Sequence, residues 1–501
     1  MKPENLSDAI GMIDDRIVEA AEECRKTKKK KHGWVKFVAV AACFCLVIVG
    51  VAGHFSNIPP DNGGFGTNPN VTNKNNSPSV NFLSYKINEA KYPETVDYPN
   101  ENAFMNLVDL DWESYGKAMD AWYAAEETRL GARADISNYS AFLTASTKNF
   151  FKNNKENLVY SPLNVYLALS MLAETTGGNT RSQILNLLGA NSVETLRNNA
   201  NKLWLSNYMD DGATTNILAN SVWLSEDIEY NQSTLDTLAE NYYASSFKGE
   251  MGSSGYNKAL QKWLNDQTGG LLKEEASEIE FTDDTVLGLA STVYFKARWN
   301  SEFNEINTKP DTFNGKNGKH TIDFMNQTSA NAYYYDDNYS AVSMSFTNNS
   351  SRMWLILPNE GTTPEKLIEN GDIDPILTGN KPKHVQEYSL VRLSMPKFDV
   401  SSSLDLKKNL KQLGVTDVFD DSKADFSPTF NSSAYLSMIQ HSARVTVDEE
   451  GCTAAAFTVI GADTSAAPEN IIDFKLDRPF IFVITADNST PLFVGVVNNV
   501  N

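Results

Sequence analysis

Residues 447–469, VDEEGCTAAAFTVIGADTSAAPE, limit what this chain can fold into more than any other stretch. They open on acids and a glycine, pass through small and β-capable residues, and end in a polar Ala/Ser/Thr/Pro tail. In an extended strand successive side chains point to opposite faces. Cys452, Ala454, Ala456, Thr458, Ile460, Ala462 and Thr464 then share one face, and Thr453, Ala455, Phe457, Val459, Gly461, Asp463 and Ser465 the other. The first face begins with four small residues and carries no charge, while the one charge, Asp463, falls on the second. Such a segment can enter the middle of a sheet with its small face inward. The plain alternative is an ordinary strand followed by a loop.

The run Glu449-Glu450-Gly451-Cys452-Thr453-Ala454-Ala455-Ala456-Phe457-Thr458 resembles the hinge of the serpin family, E-E-G-T-x-A-A-A-x-T. It departs at Cys452, where the family has Thr, and at Phe457, often a small residue there. Cys is still small and apolar, and Phe457 belongs to the outward face. The resemblance covers residues 135–501, the usual length of a whole serpin. It implies an α+β serpin fold, with helices around a large central mixed sheet, two smaller sheets and an exposed reactive-centre loop. Within it a first helix is expected over 140–153, and a second, lying under the central sheet, after Ser161-Pro162-Leu163-Asn164. Gly177-Gly178-Asn179-Thr180 reads as a break before a helix at 182–188. Strands are expected at 217–224, 289–299, 390–397, 436–447, 477–484 and 491–495, and helices at 256–268 and 404–418.

Ahead of this region the chain changes character. Residues 1–33 form a polar segment, expected to be cytoplasmic, rising to Arg25-Lys26-Thr27-Lys28-Lys29-Lys30-Lys31, and residues 34–53 are apolar except for Lys36. A helix of this length spans about 30 Å, the hydrocarbon thickness of a bilayer. A transmembrane signal-anchor helix is expected there, with the large domain outside the cell, because the basic residues precede it. A cleaved signal peptide and secretion form the rival reading, weakened by the long leader. Residues 54–80, rich in Asn, Gly, Pro and Ser, read as a disordered tether. In the extension 81–134, Trp112, Tyr115, Met119, Trp122 and Tyr123 recur at helical spacing, so one amphipathic helix packed on the main domain is expected.

The net charge of −20, with no basic cluster beyond residues 25–36, argues against a nucleic-acid partner. Four cysteines, Cys24, Cys43, Cys45 and Cys452, provide neither a disulfide framework nor zinc spacing, and no metal or cofactor is expected. The chain lacks Gly-x-Ser-x-Gly, His-Glu-x-x-His and Gly-x-x-x-x-Gly-Lys-Ser/Thr. It is not read as an enzyme.

What the resemblance implies is a monomeric inhibitor that acts once. A target serine protease attacks the loop and forms a covalent acyl-enzyme; the cut loop then inserts as a new central strand and drags the protease along. Counting from the hinge puts the scissile bond after Ser465, with Thr464 and Ala466 as neighbours. Small side chains there suit elastase-like or subtilisin-like enzymes, and no Lys or Arg occurs between Gly451 and Ile472. His441 matches the family's sheet-interior histidine, a latch expected to join Ser161, Asn164 and Ser291. Asn164 and Ser291 reverse the usual Ser and Asn, as if amide and hydroxyl had changed places within one buried network. Glu449, Lys397 and Trp299 match the positions of an ion pair beside a Trp at the top of the gap. The alternative is a non-inhibitory surface carrier. Such members usually have bulky or charged hinges, whereas this one keeps Ala454, Ala455, Ala456 and Thr458.

Overall fold

The computed structural model describes residues 81–99, 101–105, 111–131, 137–212, 214–270, 273–277, 279–347, 351–431, 433–436, 439–452 and 471–500. The expected membrane span 34–53, the segments around it, and Thr453, Ala454, Ala455, Ala456, Phe457, Thr458, Thr464, Ser465 and Ala466 lie outside these residues. Among the described residues no helix is long and apolar enough to cross a membrane.

In chain order the strands are β1 (Lys86–Asn88), β2 (Leu158–Tyr160), β3 (Met209–Asp210), β4 (Thr214–Ser225), β5 (Ala244–Gly249), β6 (Leu287–Arg298), β7 (Lys309–Gly315), β8 (Gly318–Tyr335), β9 (Tyr339–Ser345), β10 (Ser351–Pro358), β11 (His384–Pro396), β12 (Phe398–Asp405), β13 (Gln440–Val447), β14 (Gly451–Cys452), β15 (Ile471–Lys475), β16 (Phe480–Ala486) and β17 (Pro491–Val497). Among the described residues they form two sheets rather than the central sheet and two smaller ones expected, because the long β8 pairs with both β11 and β9 and joins their strands into one sheet. The first runs β1-β5-β4-β6-β14-β13-β12 with β3 on β4; the second runs β15-β11-β8-β9-β10-β16-β17-β2 with β7 on β8. The first is mixed, since β4 and β5 are parallel while β4 and β6 are antiparallel.

The helices used below are α1 (Trp112–Gly131), α2 (Ser137–Phe150), α3 (Pro162–Thr175), α4 (Gly178–Leu187), α5 (Val193–Asn207), α6 (Gln232–Asn241), α7 (Ser254–Asp266) and α8 (Lys407–Gln412). The start of α3 is set by Ser161, whose hydroxyl accepts from Asn164 N at 3.2 Å, and by Pro162 in the first turn. Because α3 is apolar nearly all round, it can only be an interior helix. It lies against β6 of the first sheet and β17 of the second. One continuous core joins Phe295 and Val445 of the first sheet, Leu167 and Leu172 of α3, and Val483 and Phe493 of the second. A smaller cluster of Trp223, Phe247, Tyr256, Leu260, Trp263 and Phe281 fills the space between the first sheet and α7.

Several expectations change. The break expected at Gly177-Gly178-Asn179-Thr180 is confined to Thr176–Gly177, and α4 starts at Gly178 rather than Ser182; a Cβ on either glycine would lie 2.8 Å from the Asp425 carboxylate, and Gly178 has φ +50°. The expected 404–418 helix divides into the end of β12, the short α8 and a 3-10 turn at Asp417–Phe419. The extension holds more than a helix, since β1 pairs with the outer edge of β5. On α1, Trp122 is buried but Trp112 and Tyr123 are 67% and 59% exposed, so the aromatic stripe is only partly core.

Candidate functional site

At the top of the first sheet, β13 ends in a tight turn at Asp448. Its Oδ1 accepts from Glu450 N at 3.0 Å and Gly451 N at 3.1 Å, while Asp448 N donates to Gly451 O at 3.1 Å. The turn sends Gly451–Cys452 back between β13 and β6, with Cys452 opposite Val447 on one side and Ala297 on the other. Among the described residues β6 and β13 share no backbone ladder of their own; β14 is what joins them. Only glycine fits at 451, where a Cβ would stand 2.3 Å from Ala297 O. Cys452 is buried in the main core, and burial raises its thiol far above the usual range, so it is held as a small neutral side chain.

The three residues expected at the top of the gap meet around this turn. Lys397 Nζ lies 2.8 Å from Glu449 Oε1, and the same oxygen accepts from Thr308 Oγ1 at 2.7 Å. Burial pushes the Glu449 carboxyl up, but the Lys397 and Thr308 hydrogen bonds outweigh it and hold the group below its usual range. Trp299, buried and stacked on Phe346 at 4.6 Å, donates Nε1 to Asp448 O at 2.9 Å, and its backbone N donates to Glu450 O at 2.9 Å. Glu450 itself is half-buried. The hinge turn is thus clamped from both sides.

Lower in the sheet, the four expected latch residues divide between two networks. His441, buried on β13, accepts at Nε2 from Ser161 N at 3.0 Å. Ser161 Oγ is engaged in capping α3. Ser291 instead donates Oγ to Asn220 Oδ1 at 2.7 Å, and Asn220 Nδ2 donates to Tyr242 O at 2.7 Å. The cause is register, since Asn220 and Ser291 stand directly opposite on β4 and β6, and a short hydroxyl reaches its cross-strand neighbour. Asn164 Nδ2 is buried and has no hydrogen-bond partner among the described residues. The single amide-for-hydroxyl network expected from the sequence is therefore not formed.

Burial lowers the His441 pKa from the ordinary 6.5 to about 4. Unfolded chains bind the proton first, so the stabilisation is complete above about 6.5 and is lost as pH falls towards about 4, by about 3 kcal/mol in all. His441→Gln is expected to flatten the decline of melting temperature between pH 7 and 4.5. Parallel melting curves for parent and variant would remove His441 from that role.

Sequence reading missed Thr308 and Asn220. For Thr308 there is no local signal. Asn220 is signalled as a polar residue inside the apolar run Ile217-Leu218-Ala219-Asn220-Ser221-Val222.

Residues 137–500 match the family model described as serpin (serine protease inhibitor), and the chain belongs to the serpin family. Human serpin B13 is 27% identical over 381 residues, covering 70% of this chain and 95% of that protein. Among solved structures, the thermophilic serpin tengpin in its native state aligns with TM-score 0.66 and 28% identity over 73% of this chain and 94% of that one. A thyroxine-binding globulin complexed with thyroxine aligns with TM-score 0.64 and 21% identity over 73% and 99%, a likeness of fold. Serpins are in general protease inhibitors rather than enzymes.

Proposed function

We propose that the chain is a suicide-substrate inhibitor of serine proteases with a small residue at the scissile position, elastase-like or subtilisin-like in preference. One observation carries the reading: Gly451–Cys452 already occupies the top of a seam between β6 and β13 that has no ladder of its own among the described residues. Dimensions support it. Thirteen residues from Cys452 to Thr464 extend about 43 Å at ~3.3 Å each. The 12-residue β6 that would receive them runs about 40 Å by the same rise. The small face that begins with Cys452 suits a strand buried on that side, and the Lys397–Glu449 clamp gives the hinge a fixed starting point.

The uncut protein then holds a better-paired state in reserve. Nicking the segment 453–470 with a protease that is not trapped is expected to raise the melting temperature well above that of intact protein, because the freed strand fills the seam. An unchanged or lower melting temperature after a clean cut would return the carrier reading to the front.

A further inference from the structure

The described residues between 82 and 131 are attached along one half of the first sheet. At its outer edge Lys86 pairs with Phe247 and Asn88 with Ser246, and Ala90 N donates to Ser245 Oγ at 3.1 Å. Tyr85 packs on Tyr256 at 5.1 Å. Further along, Tyr92 joins an aromatic stack with Trp204 at 5.5 Å and Tyr208 at 5.6 Å. Tyr98 N donates to Asp211 O at 2.7 Å, and the buried Trp122 donates Nε1 to Asp211 Oδ2 at 3.1 Å. Last, the Arg129 side chain, 12% exposed, donates to Ser206 O at 2.5 Å and to Asp487 Oδ2 at 2.8 Å, steadied by Glu126.

These anchors sit on two bodies. Ser206 and Trp204 belong to α5, which is fixed to the first sheet by Trp204 Nε1 donating to Leu218 O at 2.9 Å and by the β3–β4 pairing that follows it. Asp487 follows β16 in the second sheet. Admitting a strand between β6 and β13 requires the half-sheet β1-β5-β4-β6 to move aside by one strand spacing, about 4.8 Å. The far half does not move with it, because β12 and β13 are tied to the second sheet where Val159 N donates to Ser402 Oγ at 2.9 Å and His441 accepts from Ser161 N. Arg129 therefore spans the bodies that must separate, beside a weaker link from Asn488 Nδ2 to Ser206 Oγ at 3.4 Å and the contact at the end of β6, where Asn300 N donates to Ser345 O at 3.0 Å. A planar guanidinium that bridges a carbonyl and a carboxylate tolerates little displacement.

We propose that residues 82–131 form a built-in brace that ties the shifting half-sheet to the second sheet and sets how fast the sheet opens; the proposal rests on the insertion reading above. The test uses the full chain, uncut, held at a temperature below its melt. Samples are withdrawn for two measurements: whether a protease that the protein does not trap still nicks residues 453–470, and whether the protein has become more heat-resistant. Arg129→Ala and Tyr92→Ala are expected to convert to the uncleavable, heat-resistant form at least roughly tenfold faster than the parent. Tyr123→Ala, on the exposed face of α1, is expected to convert at the parent rate, and Arg129→Asp combined with Asp487→Arg to return towards it. If Arg129→Ala does not fold, Arg129→Lys keeps the charge, loses the fork and serves the same comparison. Parent-like conversion in the folded Arg129 and Tyr92 variants, with a melting temperature that still rises on nicking, overturns the brace and leaves insertion standing. No rise on nicking in any of the proteins overturns insertion, and the brace with it.

Discussion

Thr458→Arg is expected to be cut at the same bond as the parent and to form almost no covalent complex with its target, whereas Phe457→Arg inhibits nearly as well as the parent. Cys452 sets the parity. It is buried in the core between β6 and β13, and side chains in a strand alternate, so in an inserted strand 454, 456 and 458 would follow it inward while 453, 455 and 457 would face out. Arginine at 458 would carry an unpaired charge under the sheet, a penalty of several kcal/mol. Each 1.4 kcal/mol added to the insertion barrier slows that step about tenfold. The protease then completes hydrolysis before it is trapped. Both substitutions add the same charge one residue apart, so the comparison isolates side-chain direction. Equal loss in both variants, or no loss in either, would sink insertion for this chain.

Ser465→Arg is expected to redirect inhibition from elastase-like to trypsin-like enzymes, raising the rate with the latter by about a hundredfold or more. The reason is that a pocket built around a buried carboxylate rejects a short hydroxyl it cannot pair with. No Lys or Arg occurs between Gly451 and Ile472 in the parent, so the new arginine has no competitor in that stretch. Mass analysis of the released C-terminal peptide locates the cut. A bond more than two residues from Ser465 would show that counting from the hinge does not hold here.

Much of this architecture is legible in the residues. The runs that became β4, β6, β16 and β17 are apolar enough to be buried strands wherever they pair, and α3 announces itself by Ser161-Pro162 ahead of an apolar helix. The meeting of Glu449, Lys397 and Trp299 was legible only through the family resemblance, which places an ion pair beside a Trp at these positions, and Lys397 Nζ does lie 2.8 Å from Glu449 Oε1. What escaped depends on which strand lies opposite which. Ser291 turns to Asn220 rather than towards His441 because β4 and β6 pair in that register, a long-range fact that no local window holds. β1 is three residues with a single large apolar side chain, too short for any period, and exists because β5 offers it an edge. On α1 the neighbours Trp122 and Tyr123 cannot both face inward, and tertiary contact decides between them: the Trp122 indole reaches Asp211, leaving Tyr123 in solvent.

The most direct measurement mixes the full chain with a slight excess of a pancreatic-type elastase, stops the reaction in denaturant and separates the products on a denaturing gel. If the protein works by loop cleavage and strand insertion, a band appears at the summed mass of elastase and the protein less its short C-terminal peptide, and it survives boiling because the bond is an ester. A gel that shows only the clipped chain beside free, active elastase, at every ratio and with subtilisin as well, would contradict the account.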